Sequence, residues 1–218
     1  MIKAVIFDFN GTLFQDTEIH YIVWEEYVKE LFGYLPENFF DGCKGNTNEE
    51  IFRKLSRFKS VPFTEEEITK YSFEKEKRYR EWCINHNFNK LTNGAEEFFK
   101  YLKEHNYLMS ICTCACKENV DFLFDYLGAS KYFDINQCIY EDGIRKGKEE
   151  YYRDAIKLLG VKPEETLCFE DSGHGIKGAI DAGCNVVVIS QNKIDPQPQI
   201  KQVVPDFTYF DYNILNTI

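Results

Sequence analysis

The sequence predicts an α/β chain, a doubly wound parallel sheet whose first strand is separated from the rest by a block of helices. Three observations carry this. Ala4-Val5-Ile6-Phe7 is an almost continuous apolar run, as expected of a strand covered by helices on both faces. From Asn93-Gly94 onward, helical and strand patterns alternate in the order that builds parallel βα units. Between them, from Asp16 to about Phe88, apolar residues recur at helical spacing with dense charge in between.

The first strand, read over residues 3–9, is broken by Gly11-Thr12. The insert then offers EIHYIVWEEYVKELF, NEEIFRKLSRF and EEEITKYSFEKEKRYREWCINH as helices, punctuated by Pro36 and Pro62. After it come AEEFFKYLKEHNY as helix, LMSICTC as strand, KENVDFLFDYLG as helix, KYFDINQCIY as short strands or a turn, and KEEYYRDAIKLLG as helix. TLCFED is the next strand, GIKGAIDAG a helix and CNVVVIS a strand. IDPQPQI is a loop by its prolines, VVPDFTYF an edge element and DYNILNTI a closing helix. The expected division is a sheet domain of residues 1–14 and 91–218 around a helical domain of residues 15–90.

A formal charge of -10 and a pI near 5.0 exclude a protein that tracks nucleic-acid backbone, which needs a basic surface. No apolar run is long enough for a membrane span. With no basic start, apolar h-region or cleavage site, the eight cysteines are expected reduced in a cytoplasmic protein, a monomer by default. Cys112, Cys114 and Cys116 contain no CxxC pair, and strand geometry is not expected to bring all three thiols to one metal.

Ligands of such sheets bind beyond the carboxyl ends of strands. Those ends carry Asp8, then Thr113 or Cys114, then Glu170-Asp171, while Lys146 and Lys148 precede a helix. Singly, each has an ordinary use: Asp8 and Glu170-Asp171-Ser172 could cap helices, Thr113 could sit in a turn, and Lys146 could be solvated. Together they do not, because capping requires no cluster of acids. Such a cluster repels itself unless a cation sits in it, and hard oxygen donors suit Mg2+. A carboxylate nucleophile, a metal and a lysine are the parts of a phosphoryl-transfer site for a small phosphorylated metabolite.

FDFNGTL, the Thr113 region, Lys146 and FEDSGHGIKGAIDAG together resemble the haloacid dehalogenase superfamily, in its beta-phosphoglucomutase-like and phosphatase branch. The resemblance covers nearly the whole chain and implies a Rossmann-like core with a small helical cap inserted after the first strand. It implies that Asp8 is the nucleophile and a Mg2+ ligand, and that residue 10 binds the metal through its carbonyl. Gly11 and Thr12 would form the turn beneath the phosphate, and Glu170 and Asp171 the acidic pair at the metal. Thr113 is preferred over Cys114 as phosphate donor because a thiol is the weaker donor. Lys146, 24 residues before Glu170, matches the family lysine. KGKE replaces the usual KPxP there, so Lys148 is a rival.

In the insert, DGCKGNTNEEI resembles the segment with which the mutase grips its substrate. It implies Lys44 as a cap lysine and puts Asn48 where the mutase has a phosphate-binding arginine. Without that guanidinium, mutase activity on bisphosphates is disfavoured, unless Arg53 compensates. QDTEIHYIVW matches the mutase at Glu18, His20 and Trp24, which implies a hinge histidine assisting acid/base catalysis; the alternative for His20 is a hydrogen-bonded, partly buried helix residue.

Asn10 stands where the family carries its acid/base aspartate. An amide can bind but cannot exchange protons near neutral pH, and acid/base assistance is worth about 10^2 to 10^4 in rate. Four readings follow: a Mg2+-dependent phosphatase for good leaving groups, with His20 or Glu18 helping; a phosphonate or haloacid hydrolase; an asparagine introduced to stall turnover; or a weakly active phosphometabolite-binding protein.

Overall fold

The computed structural model describes residues 1–43 and 47–218. The chain divides into two compact units, Met1–Gln15 with Lys90–Ile218, and Asp16–Asn89. In chain order the elements are β1 (Ala4–Phe7), α1 (Thr17–Phe32), α2 (Asn48–Leu55), α3 (Glu65–Asn85), α4 (Ala95–Glu104), β2 (Leu108–Cys116), α5 (Lys117–Tyr126), β3 (Ile139–Glu141), α6 (Lys148–Leu159), β4 (Thr166–Glu170), α7 (Gly173–Asp181), β5 (Asn185–Ile189), β6 (Ile200–Val204) and α8 (Ile214–Thr217).

The first unit is the expected mixed α/β, Rossmann-like core. Its six strands pair in the order β3-β2-β1-β4-β5-β6, every pair parallel. β1 lies inside the sheet, and all four of its residues are buried. Side chains alternate between the faces. Ile6, Cys112, Cys168 and Val186 pack with Tyr152 and Ala155 of α6 and Ile176 and Ala179 of α7. On the other face Phe7 is ringed by Phe98, Phe99, Phe133, Phe169 and Phe207, with centroids 5.3–6.0 Å away. Such ring pairs each add about 0.5–1.5 kcal/mol beyond burial.

Three segments differ from the sequence reading. KYFDINQCIY yields one complete 3-10 turn, Ile135–Gln137, and the start of a strand only three residues long, β3. The edge strand lies in IKQVV, ahead of Pro205, and the proline falls just past its end, where no ladder donor is required. The closing helix is a single turn, Ile214–Thr217.

The second unit is helical. Thr47 with Glu50 and Thr64 with Glu67 form capping boxes that start α2 and α3. Its core joins Trp24, Tyr27 and Val28 of α1 to Ile51, Phe52 and Leu55 of α2, together with Phe63 and Ile68. Among the described residues, no helix is long and apolar enough to cross a membrane.

Candidate active site

Asp8 follows β1 directly, and its backbone N–H continues the ladder to Phe169 O at 2.9 Å. It has the parity of Ile6, so its side chain belongs to the face covered by α6 and α7. Glu170 ends the neighbouring strand β4, and Asp171 follows it. Ligand oxygens of Asp8, Glu170 and Asp171 all lie within 4.8 Å of one another, the one such group among the described residues.

The turn after Asp8 is tight. Phe9 O accepts from the N–H groups of Thr12, Leu13 and Phe14 at 2.8–3.2 Å, and Gly11 N donates back to Phe14 O at 2.7 Å. Gly11 has φ +82°, and a Cβ there would fall 2.3 Å from Asp171 Oδ2. A side chain at 11 therefore carries both left-handed strain and a collision with the carboxylate. Thr12 Oγ1 donates to Asp171 Oδ1 at 3.1 Å, which orients that carboxylate toward Asp8.

The lysine at this edge is Lys148. Its ammonium pairs with Asp8, lies 3.1 Å from Glu170 Oε1, and donates to Cys112 O at 3.1 Å. Lys146, favoured by its spacing, is exposed in the preceding loop, where its backbone N–H meets Glu150 Oε2 at 3.0 Å. The physical reason is the helix start: Lys148 is the first residue of α6, and helical side chains lean back toward the N-terminus, here toward the strand ends.

Glu170 is wholly buried and heavily engaged. Its Oε1 accepts from Tyr152 OH at 2.8 Å in addition to Lys148. Its Oε2 accepts from the N–H groups of Asp171 and Ser172 and from Ser172 Oγ, at 3.1–3.3 Å. Glu170 thus fixes Lys148 and the strand end, while Asp171 is the half-exposed carboxylate of the pair.

Burial, and after it Glu170, pushes the Asp8 carboxyl well above its ordinary range, with Lys148 opposing. Burial also works to lower Lys148, yet Asp8 and then Glu170 outweigh it and hold the ammonium well above the usual lysine value. Three carboxylates facing one ammonium leave the site short of positive charge. Hard oxygen donors in that deficit fit a divalent cation such as Mg2+.

Thr113 and Cys114 also resolve by parity. Phe7 pairs with Ile111, so Cys112 is level with Asp8, and Thr113 falls on the opposite face. Thr113 is buried and its hydroxyl accepts from Ala115 N at 3.1 Å. Cys114 is exposed and lies in the field of Lys148, Asp8 and Glu170. Cys112, Cys114 and Cys116 do share a face, two residues apart, but successive same-face positions lie about 7 Å apart and do not converge on one ion.

The remaining candidates belong to the helical unit. Lys44 lies outside the described residues. Asn48 donates to Glu76 Oε1 at 2.5 Å, and Arg53 forks onto Glu65 at 2.7 and 3.3 Å. Glu18 is exposed and Trp24 is core. His20 stacks on Tyr79 at 4.1 Å, with Nδ1 2.7 Å from Lys75 Nζ and Nε2 3.3 Å from Asp16 Oδ2. Lys75 in turn meets Glu76 at 2.8 Å, and Tyr79 donates to Asp16. His20 is thus hydrogen-bonded and partly buried, as its alternative reading has it, whereas the buried Lys75 beside it is a residue that sequence reasoning misses. Its signal was its place on the buried stripe Ile68, Ser72, Lys75, Tyr79 and Cys83 of α3. Tyr152 gave no comparable signal, because its ring reads as ordinary helix core.

The family model described as haloacid dehalogenase-like hydrolase matches residues 5–189. Among solved structures, an HAD hydrolase of family IA, variant 3, from Entamoeba histolytica HM-1:IMSS is 30% identical, with a TM-score of 0.88 covering 99% of this chain and 98% of that one. Pyrophosphatase PpaX of Bacillus cereus (strain AH820) is 26% identical over 94% of this chain and 91% of its own length. A phosphorylated carbohydrates phosphatase of Thermotoga maritima is 27% identical over 84% of this chain and 82% of its own.

Proposed function

The chain belongs to the haloacid dehalogenase-like hydrolases, and from that premise we propose that it is a Mg2+-dependent phosphatase acting on a small phosphorylated metabolite through Asp8. The observation that carries the reading is the convergence of Asp8, Glu170 and Asp171 within 4.8 Å, beside a buried lysine. Relatives named a pyrophosphatase and a phosphorylated carbohydrates phosphatase are consistent with it.

In this reading an Asp8 oxygen attacks phosphorus while the bond from phosphorus to the leaving oxygen breaks, which makes an aspartyl-phosphate. Water then displaces the carboxylate, releasing inorganic phosphate and restoring Asp8. Lys148 opposes the burial that raises Asp8 and so favours its ionised form, it pairs with phosphoryl charge, and Glu170 holds Lys148 in place. Asp8, Asp171 and the Asn10 carbonyl would hold Mg2+, which when bound offsets charge on the phosphoryl oxygens. Cys114, exposed near the end of β2 in the field of Lys148 and Asp8, would border the phosphate.

Asn10 sets the substrate class. With no proton carrier at that position, the leaving group must depart without full protonation, which favours acyl and aryl phosphates over sugar phosphates. The test of the main reading is phosphate release from an aryl and an acyl phosphate, with Mg2+ and with EDTA. Turnover no greater than that of Asp8→Asn sinks the hydrolase. Binding of a phosphate analogue without turnover, and without labelled Asp8, would favour the phosphometabolite-binding reading that Asn10 also allows.

A further inference from the structure

We propose that Gly178 is a positioning residue for Lys148: the missing side chain on α7 is what lets a lysine carried on the first residue of α6 reach Asp8. A Cβ built at Gly178 would lie 2.8 Å from Lys148 Cβ, 2.8 Å from Glu149 N and 2.9 Å from Lys148 C. Two of those atoms are backbone, so no change of rotamer relieves the contact. Restoring ordinary carbon–carbon separation requires the start of α6 to retreat by about 0.7–1.2 Å.

Two of the lysine's three contacts have little tolerance for that retreat, the pairing with Asp8 being the closer one. Those to Glu170 Oε1 and to Cys112 O are both 3.1 Å, already near the long end of the hydrogen-bond range. Three residues earlier on α7, and so on the same helix face, a Cβ at Gly175 would fall 1.9 Å from Glu170 Oε1. One bare face of α7 therefore backs both members of the Lys148–Glu170 pair. A lysine in the loop before α6 would not depend on this face, whereas one on the helix itself moves with the helix.

The mechanism of the effect rests on the phosphatase reading, but the placement does not, and the experiment separates them. The full-length Gly178→Ala protein is treated with acetic anhydride and mapped by peptide mass spectrometry. Lys148, 5% exposed in the native chain, is expected to acylate roughly tenfold faster or more once its burial opens. Cys168, fully buried in β4 of the same unit, reports on the fold and is expected to stay inert to a thiol reagent. Turnover of the aryl phosphate in Mg2+ is expected to fall about 10^2-fold in kcat, the scale of a 1 Å misplacement. In a Lys148→Met background the same glycine change is expected to add no further loss.

Lys148 remaining protected in the variant would overturn the assignment. So would losses from Gly178→Ala and Lys148→Met that multiply, or reactive Cys168, which would make Gly178 a requirement of the whole sheet. A native protein without turnover would remove the phosphatase and leave the acylation result to judge Gly178.

Discussion

Replacing Lys148 with Met should cost the fold far more than replacing Lys146, although the two lie in one short loop-to-helix segment. Lys148 is 5% exposed and pairs with Asp8 and with the fully buried Glu170, so little solvent screening applies. Removing one partner of a buried ionic set costs about 3–5 kcal/mol, because the other charges remain desolvated. Lys146 is exposed and, among the described residues, contributes only its backbone N–H to Glu150, so Lys146→Met should stay within about 0.5 kcal/mol. Urea unfolding in EDTA measures both. The pH dependence fixes the cause. Burial and Glu170 already raise Asp8, and without the ammonium it rises further. A raised carboxyl contributes stability below its unfolded pKa and loses it as pH rises through the folded value, so the Lys148→Met deficit should grow as pH rises through the folded Asp8 value. Added Mg2+ should return part of it. A large loss in Lys146→Met with a change under about 0.5 kcal/mol in Lys148→Met would refute the assignment of the site lysine.

Asn10→Asp should raise turnover of a sugar phosphate by about 10^2 to 10^4, or about 3–5 kcal/mol of barrier; a steady-state assay showing no gain would mean proton transfer is not what limits this chain. Gly11→Ala should weaken Mg2+ binding by calorimetry and destabilise the fold by about 1–2 kcal/mol, since its Cβ would press on Asp171 in a left-handed turn; unaltered Mg2+ affinity would contradict this. Tyr152→Phe removes one donor from Glu170 Oε1 and should cost about 1–3 kcal/mol in urea unfolding; a change under about 0.5 kcal/mol would contradict this. In the helical unit, Lys75 and then His20 hold Glu76 at about 2 against its burial. Being depressed, Glu76 contributes stability above its unfolded pKa and loses about 3 kcal/mol as pH falls toward 2. Trp24 and Trp82 both lie in that unit, so their emission during guanidinium unfolding from pH 6 to 2.5 follows it, and Glu76→Gln should flatten the slope.

The sheet was legible because its signal is local. An apolar run such as Ala4–Phe7 and the helix–strand alternation after residue 94 are written in consecutive residues, and parallel strands buried on both faces need no partner to be recognised. Where the chain is held by long-range packing, the reading weakened. β3 is three residues long and takes its place by pairing with β2, and the closing helix shrank to one turn at the terminus.

The same division runs through the site. Asp8, Glu170 and Asp171 could be found because each follows a strand, and strand ends converge by topology. The choice between Thr113 and Cys114 depends on the register of β2 against β1, which no local pattern encodes: Phe7 opposite Ile111 turns the hydroxyl away and leaves the thiol at the edge. Choosing between Lys146 and Lys148 depends on where α6 begins relative to α7. That start is set by the close approach at Gly178, thirty residues beyond the lysine it seats. The carboxylates are thus fixed by the sheet, whereas the cation that balances them is fixed by a helix–helix contact, and a change at that contact can disable Asp8 without touching any residue of the acid cluster.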